Sequence, residues 1–136
     1  MTAEYAHSEW IRALDAFREA QLLLANGGSD GAASRAYYSV FHAVAALFAL
    51  DDRTFTKHSA LEAAVHRDLV KAGKWSSSLG RDFSFCVDLR SVGDYGREVR
   101  VEAGQASEAI ASAHRILTAV REALPATYPS VPGAEN

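Results

Sequence analysis

The stretch from Ala32 to Phe48, AASRAYYSVFHAVAALF, constrains this chain more than any other. It reads as a helix of about four to five turns, opened by Ser29 or Asp30 as N-cap. At about 100° per residue, Ala33, Tyr37, Val40, Phe41, Val44, Leu47 and Phe48 form a wide apolar stripe, the face a core would cover. The opposite face carries Arg35, Tyr38, Ser39, His42, Ala45, Ala46 and Ala49, and after Arg35 it has no charge until Asp51. A helix that is apolar or small nearly all round is buried on both sides. We therefore expect it to pack in its own core on one side, with Phe41 in that core. On the other side its alanine strip is expected to meet a second copy of the chain.

Arg35 and His42 are seven positions apart, so they return to within about 20° of one direction, about 10 Å apart along the axis. Arginine holds phosphate through paired donors. Histidine moves a proton near neutral pH. Two readings stand: a phosphodiester site, or a buried polar histidine satisfied by a neighbour with a rim arginine pairing a carboxylate.

The chain has 136 residues, 49% hydrophobic and 23% charged, enough for one globular domain. With a formal net charge of −3, contact with RNA has to come from a local basic patch. The single cysteine, Cys86, excludes an internal disulfide and a cysteine-rich metal site. Among Phe83, Phe85 and Val87 it suits a core better than a nucleophile. No apolar run approaches about 18 residues, and no charged-then-apolar leader opens the chain. A cytoplasmic protein without membrane contact is the expectation, and no metal or other cofactor is called for.

After a loose start over residues 1–7, Ser8 can cap a first helix to about Ala25, stopped by Asn26-Gly27-Gly28. Its short link to the central helix predicts antiparallel neighbours. Ser59-Ala60-Leu61-Glu62 has capping-box spacing and starts a third helix that ends at Gly73. Lys57 and His58 then lie before a helix N-terminus, where anions are favoured, or in a plain solvated loop. A fourth helix begins in Ser76-Ser77-Ser78 and runs to about Tyr95, with Arg90 and Asp94 spaced to pair as a surface salt bridge. A fifth runs from about Glu102 to Leu124, and Pro125 ends it. The reading is all-α: a bundle of about five helices in one domain over residues 1–125, with a disordered tail over 126–136.

Three stretches in order carry a resemblance: Arg35-Ala-Tyr-Tyr-Ser-Val-Phe-His42, Lys57-His58-Ser59, and Asp88-Leu-Arg90-Ser-Val-Gly-Asp94-Tyr95. From about Trp10 to Leu124 the chain resembles the HEPN superfamily, in particular a prokaryotic branch with an Ala-Tyr-Tyr-x-x-Phe-His helix. The resemblance implies an up-and-down bundle with a four-helix core that commonly forms a homodimer. Many members resemble metal-independent endoribonucleases, often toxins paired with an antitoxin. Their signature is an arginine, four to six residues, then a histidine, and Arg35 and His42 enclose six. The better-known ribonucleases carry arginine, four residues, then histidine with a nearby tyrosine on a late helix. Here the late position has Arg90 followed by Asp94-Tyr95, without a histidine.

The resemblance thus implies Arg35 and His42 as catalytic residues at a dimer interface, His42 as general base and Arg35 on the phosphate. It implies RNA or nucleotide contacts from Tyr38, Lys57, His58, Arg90, Asp94 and Tyr95. The alternatives are a non-catalytic nucleotide-binding module, or a dimerisation module that docks a partner such as a nucleotidyltransferase-like antitoxin.

Overall fold

A computed structural model describes residues 2–133. The chain forms α1 (Thr2–Ala25), α2 (Ser29–Ala49), α3 (His58–Ala64), α4 (Ser77–Tyr95) and α5 (Ala103–Ala123). From Val65 to Val70, α3 continues as a π-helical segment, a form that sequence periodicity does not signal. No strand occurs among the described residues. The expected all-α bundle is what the chain adopts.

Local chemistry explains the boundaries. Gly27 takes φ +82°, and the amides of Gly27 and Gly28 return to the carbonyls of Leu24 and Leu23 at 3.1 and 2.7 Å. This is the Schellman arrangement that needs a left-handed residue past the helix end. The Ser76 hydroxyl accepts from the Leu79 amide at 3.1 Å and caps α4. Glu102 and Gln105 form a reciprocal capping box on α5. Two expected caps are replaced. Residue Gly28 precedes α2, and Asp30 lies inside its first turn, where its carboxylate accepts from the Val101 amide at 2.8 Å and Arg100 Nη1 at 3.2 Å. On α3, Lys57 is the cap residue, and the Glu62 carboxylate bonds Tyr37 rather than closing a capping box.

Helix α2 is the centre of the core. Ala32, Ala33, Ala36, Val40, Ala43, Val44 and Ala46 are all fully buried. Trp10, Leu14 and Phe17 of α1, Phe83 of α4, and Ile116, Leu117 and Val120 of α5 complete the packing. Gly93 is required here: a Cβ on it would stand 2.7 Å from the Asp30 carbonyl oxygen, so α4 closes on the start of α2 only without a side chain. Asp82 then fastens α4 to α5 by a two-pronged bond with Arg115, at 2.9 and 3.0 Å.

Four expectations change. The first helix begins at Thr2, not at Ser8, because residues 2–7 have something to pack on. That partner is the stretch expected to be disordered. Trp10 Nε1 donates to the Pro129 carbonyl at 2.9 Å, the Tyr128 hydroxyl donates to the Ala3 carbonyl at 3.1 Å, and Tyr128 and Val131 are buried. The end of that tail, residues 134–136, lies outside the described residues, as does Met1. The alanine strip is not left for a second copy, since Ala45, Ala46 and Ala49 are buried within the chain itself. Phe41 is half-buried at the rim of the core.

Ala46→Glu should therefore unfold the chain instead of dissociating a dimer, because a carboxylate would be sealed in the core without a partner. A thermal melt by circular dichroism checks it. In urea, Phe17→Ala should cost about 3–5 kcal/mol and the half-buried Phe41→Ala only about 1–2 kcal/mol.

Candidate functional site

The polar residues of α2 emerge along one edge, where α1, α3 and α4 meet it. Tyr37 is buried, and Tyr38, Phe41 and His42 are half-buried beside it. Across from them stand His58 and Glu62 on α3 and Arg90, Asp94 and Tyr95 on α4.

Arg90 is held from three sides. Its Nε donates to Asp94 Oδ2 at 2.9 Å, and its Nη2 donates to the Tyr38 hydroxyl at 3.1 Å and to the Tyr95 hydroxyl at 3.5 Å. The guanidinium lies 5.0, 5.5 and 5.5 Å from the ring centres of Tyr37, Tyr38 and Tyr95, within cation–π range. Those bonds use Nε and Nη2, and Nη1 is engaged by none of them. The expected Arg90–Asp94 pair exists, but it is part of this cluster and not an isolated surface bridge.

His58 stacks on Phe41 with ring centres 4.3 Å apart and faces the edge of Tyr38 at 5.7 Å. Its Nδ1 is 3.1 Å from the Tyr37 hydroxyl, which lies 2.7 Å from Glu62 Oε2. A carboxylate only accepts and a phenol has one proton. Tyr37 therefore donates to Glu62, and His58 Nδ1–H donates to Tyr37. That assignment puts the neutral imidazole's lone pair on Nε2. Burial first, and then the bond to Glu62, raise the Tyr37 pKa well above its ordinary value, so the phenol keeps its proton. Burial and the Arg90 guanidinium hold the His58 pKa below its ordinary 6.5, with a smaller push from His42 and an opposing pull from Glu62.

Arg35 and His42 line one shallow pocket of about 240 Å³ together with Arg12, Asp15 and Glu19. Each answers to a carboxylate of α1: Arg35 Nη1 lies 3.1 Å from Glu19 Oε1, and His42 Nδ1 lies 3.3 Å from Glu9 Oε1. The Arg35 guanidinium also covers the Tyr38 ring at 4.7 Å. The structure thus brings the pair to one pocket, in the carboxylate-satisfied form of the second sequence reading. Of the other expected residues, Tyr38, His58, Arg90, Asp94 and Tyr95 converge, and Lys57 is exposed one position before His58.

An open pocket of about 540 Å³ lies elsewhere. It is floored by Leu47, Phe48, Trp75 and Leu79 and holds none of the expected residues. Cys86 is buried, and burial pushes its thiol up to about 12, which removes it as a nucleophile at neutral pH. Among the described residues no three His, Cys, Asp or Glu side chains converge as metal ligands, and no helix is long and apolar enough to cross a membrane.

The HEPN domain model matches residues 7–123. The chain belongs to the HEPN family. A UPF0332 protein of Thermotoga maritima is 35% identical over 111 residues, covering 82% of this chain and 84% of that protein. The HEPN match begins on α1 and ends with α5, so it contains both the Arg90 cluster and the Arg35–His42 pocket. In this HEPN chain the late arginine has no histidine on its own helix. The imidazole near it comes from α3.

Sequence reasoning misses Tyr37, Glu62 and Glu9 as site residues. It assigns Tyr37 to the core and Glu62 to a cap, and Glu9 carries no signal. The four-residue spacing of His58 and Glu62 on one helix face is the available clue.

The His58 ring protons, followed by NMR, should titrate with a midpoint below 6.5, and Arg90→Ala should move that midpoint upward by removing the nearby cation. Because the folded pKa is depressed, the unfolded chain binds more protons, so the His58 contribution to stability falls as pH drops from 6.5 to the folded value. His58→Asn should flatten that part of the stability–pH curve.

Proposed function

We propose that this HEPN domain binds single-stranded RNA on the Tyr38–Arg90 edge and cleaves it without metal. The observation that carries the reading is Arg90, fixed by Asp94 and Tyr38 amid three tyrosine rings. A guanidinium with oriented donors suits a phosphate. Exposed Tyr95 and half-buried Tyr38 and Phe41 offer ring surface on which unpaired bases stack. Exposed Lys57 and Arg97 flank the edge in sequence and suit neighbouring phosphates. The net charge of −3 makes such contacts local and salt-sensitive. A nucleotide would use the same donors and rings one unit at a time.

Cleavage in this reading uses the substrate's own 2′-hydroxyl as nucleophile, with a histidine to take its proton and an arginine to hold the phosphate. Arg35 and His42, the family-like pair, border the same edge through Tyr38: Arg35 covers its ring and His42 lies 6.4 Å from it. DNA, which lacks the 2′-hydroxyl, would bind and stay intact.

A second reading, a module that docks a protein such as an antitoxin or a second copy in a homodimer, has its own support. Leu22, Leu23, Tyr95 and Val99 are large hydrophobic side chains left exposed. With the alanine strip sealed inside, these residues are the surface such an assembly would use.

Fluorescence anisotropy with a labelled 2′-O-methyl oligonucleotide, which cannot be cleaved, tests binding. Arg90→Ala should weaken it by about tenfold or more and reduce the salt slope by about 0.7 for each phosphate no longer neutralised. With unmodified RNA, cleavage should persist in EDTA and leave 2′,3′-cyclic phosphate ends. Activity that disappears with chelator and returns with magnesium would refute the metal-independent reading.

A further inference from the structure

We propose that His58 is the general base of RNA cleavage and that Tyr37 and Glu62 are its positioning residues. The inference rests on the RNA-binding reading above and adds the group that starts the chemistry.

Three observations converge. The Glu62–Tyr37–His58 chain of hydrogen bonds, 2.7 and 3.1 Å long, is closed at its carboxylate end and therefore has one direction. It fixes the imidazole with Nδ1 protonated and Nε2 as acceptor. The ring packs on Phe41 with centres 4.3 Å apart and planes tilted by 31°, which restricts the directions in which Nε2 points. Tyr38 touches both parts of the site: its ring faces His58 and its hydroxyl accepts from Arg90 Nη2 at 3.1 Å. A phosphate drawn to Arg90 is thereby brought beside the imidazole. His42 differs in position: its ring lies 6.4 Å from Tyr38 against 5.7 Å for His58, and its Nδ1 faces Glu9 of α1.

The step balances within the substrate. His58 Nε2 takes the 2′-hydroxyl proton as O2′ attacks the adjacent phosphorus. The O2′–P bond forms and the P–O5′ bond breaks. The departing 5′-oxygen takes a proton from water, and His58 returns its proton to solvent. The charged and titratable groups facing His58 are Tyr37, Tyr38 and His42 from α2, Glu62 from α3 and Arg90 from α4. Their balance, with burial, leaves the imidazole neutral at neutral pH, the form a base requires.

The test uses the full chain, a labelled single-stranded RNA and EDTA. In the wild type, kcat/KM should rise with pH and level off, with its inflection below 6.5. His58→Ala should lose about a hundredfold or more in kcat, and added imidazole should restore part of it. His58→Asn keeps an N–H for Tyr37 but has no Nε2, so it should stay folded, bind the 2′-O-methyl oligonucleotide and fail to cleave. Tyr37→Phe should lower kcat with little change in KM and move the inflection to lower pH, because Nδ1–H loses its acceptor. His58→Asn cleaving at the wild-type rate would overturn the proposal. So would a wild type that binds the 2′-O-methyl oligonucleotide without cleaving RNA, and the binding reading would survive. A wild type that does not bind that oligonucleotide would overturn both.

Discussion

The bundle depends on one helix being closed in on nearly every side by its own chain. Helix α2 presents alanine at 32, 33, 36, 43, 45, 46 and 49, all buried. Small side chains let neighbouring backbones come near, and the gain is close packing over a long contact. Such a helix has little room for polar groups. Those it carries must leave along the narrow edge that remains, and Arg35, Tyr38 and His42 do so. The candidate site is thus a consequence of the core: burying the rest of α2 gathers these polar side chains along one edge.

What that edge becomes is decided by the helices that border it. Helix α1 brings Glu9 and Glu19, which take up His42 and Arg35. Helix α4 brings Arg90, placed because Gly93 lets α4 close on Asp30. Helix α3 brings His58 and Glu62 to either side of the Tyr37 hydroxyl. At one end α1 carboxylates hold Arg35 and His42; at the other, Arg90 pairs with Asp94 of its own helix and is surrounded by tyrosine rings. A phosphate at the Arg35 end would meet Glu19 and Asp15 beside the pocket. At the Arg90 end, Nη1 stands clear of the bonds to Asp94, Tyr38 and Tyr95, and aromatic surface lies nearby. That contrast is why the Tyr38–Arg90 edge carries the functional reading.

Both ends of the chain join in the same burial. Trp10 is fully buried and its indole N–H needs an acceptor. The segment after Pro125 folds back to supply the Pro129 carbonyl, and Tyr128 ties down Ala3 in return. Pro125 stops α5 without freeing the residues beyond it. The segment turns straight after Pro125, whose carbonyl accepts from the Tyr128 amide at 3.0 Å, and so returns to α1.

The sequence by itself determined the number of helices, their order and the family, because apolar spacing, glycine stops and most capping residues are local signals; packing changed only the start of α1, two caps and the π-helical end of α3. Ser76, Gly27 and Pro125 mark boundaries where they were expected. It also determined that Arg90 and Asp94 pair, since four-residue spacing on one helix settles that. Contacts across helices were beyond it. Nothing local tells that Ala46 faces α2's own bundle and not a second copy, because a small apolar residue suits either cover. Nothing tells that Glu62 serves Tyr37 instead of its own helix end, or that an imidazole from α3 stands near an arginine on α4. Those pairings join residues tens of positions apart, and only the tertiary structure, by deciding which faces meet, could bring them together.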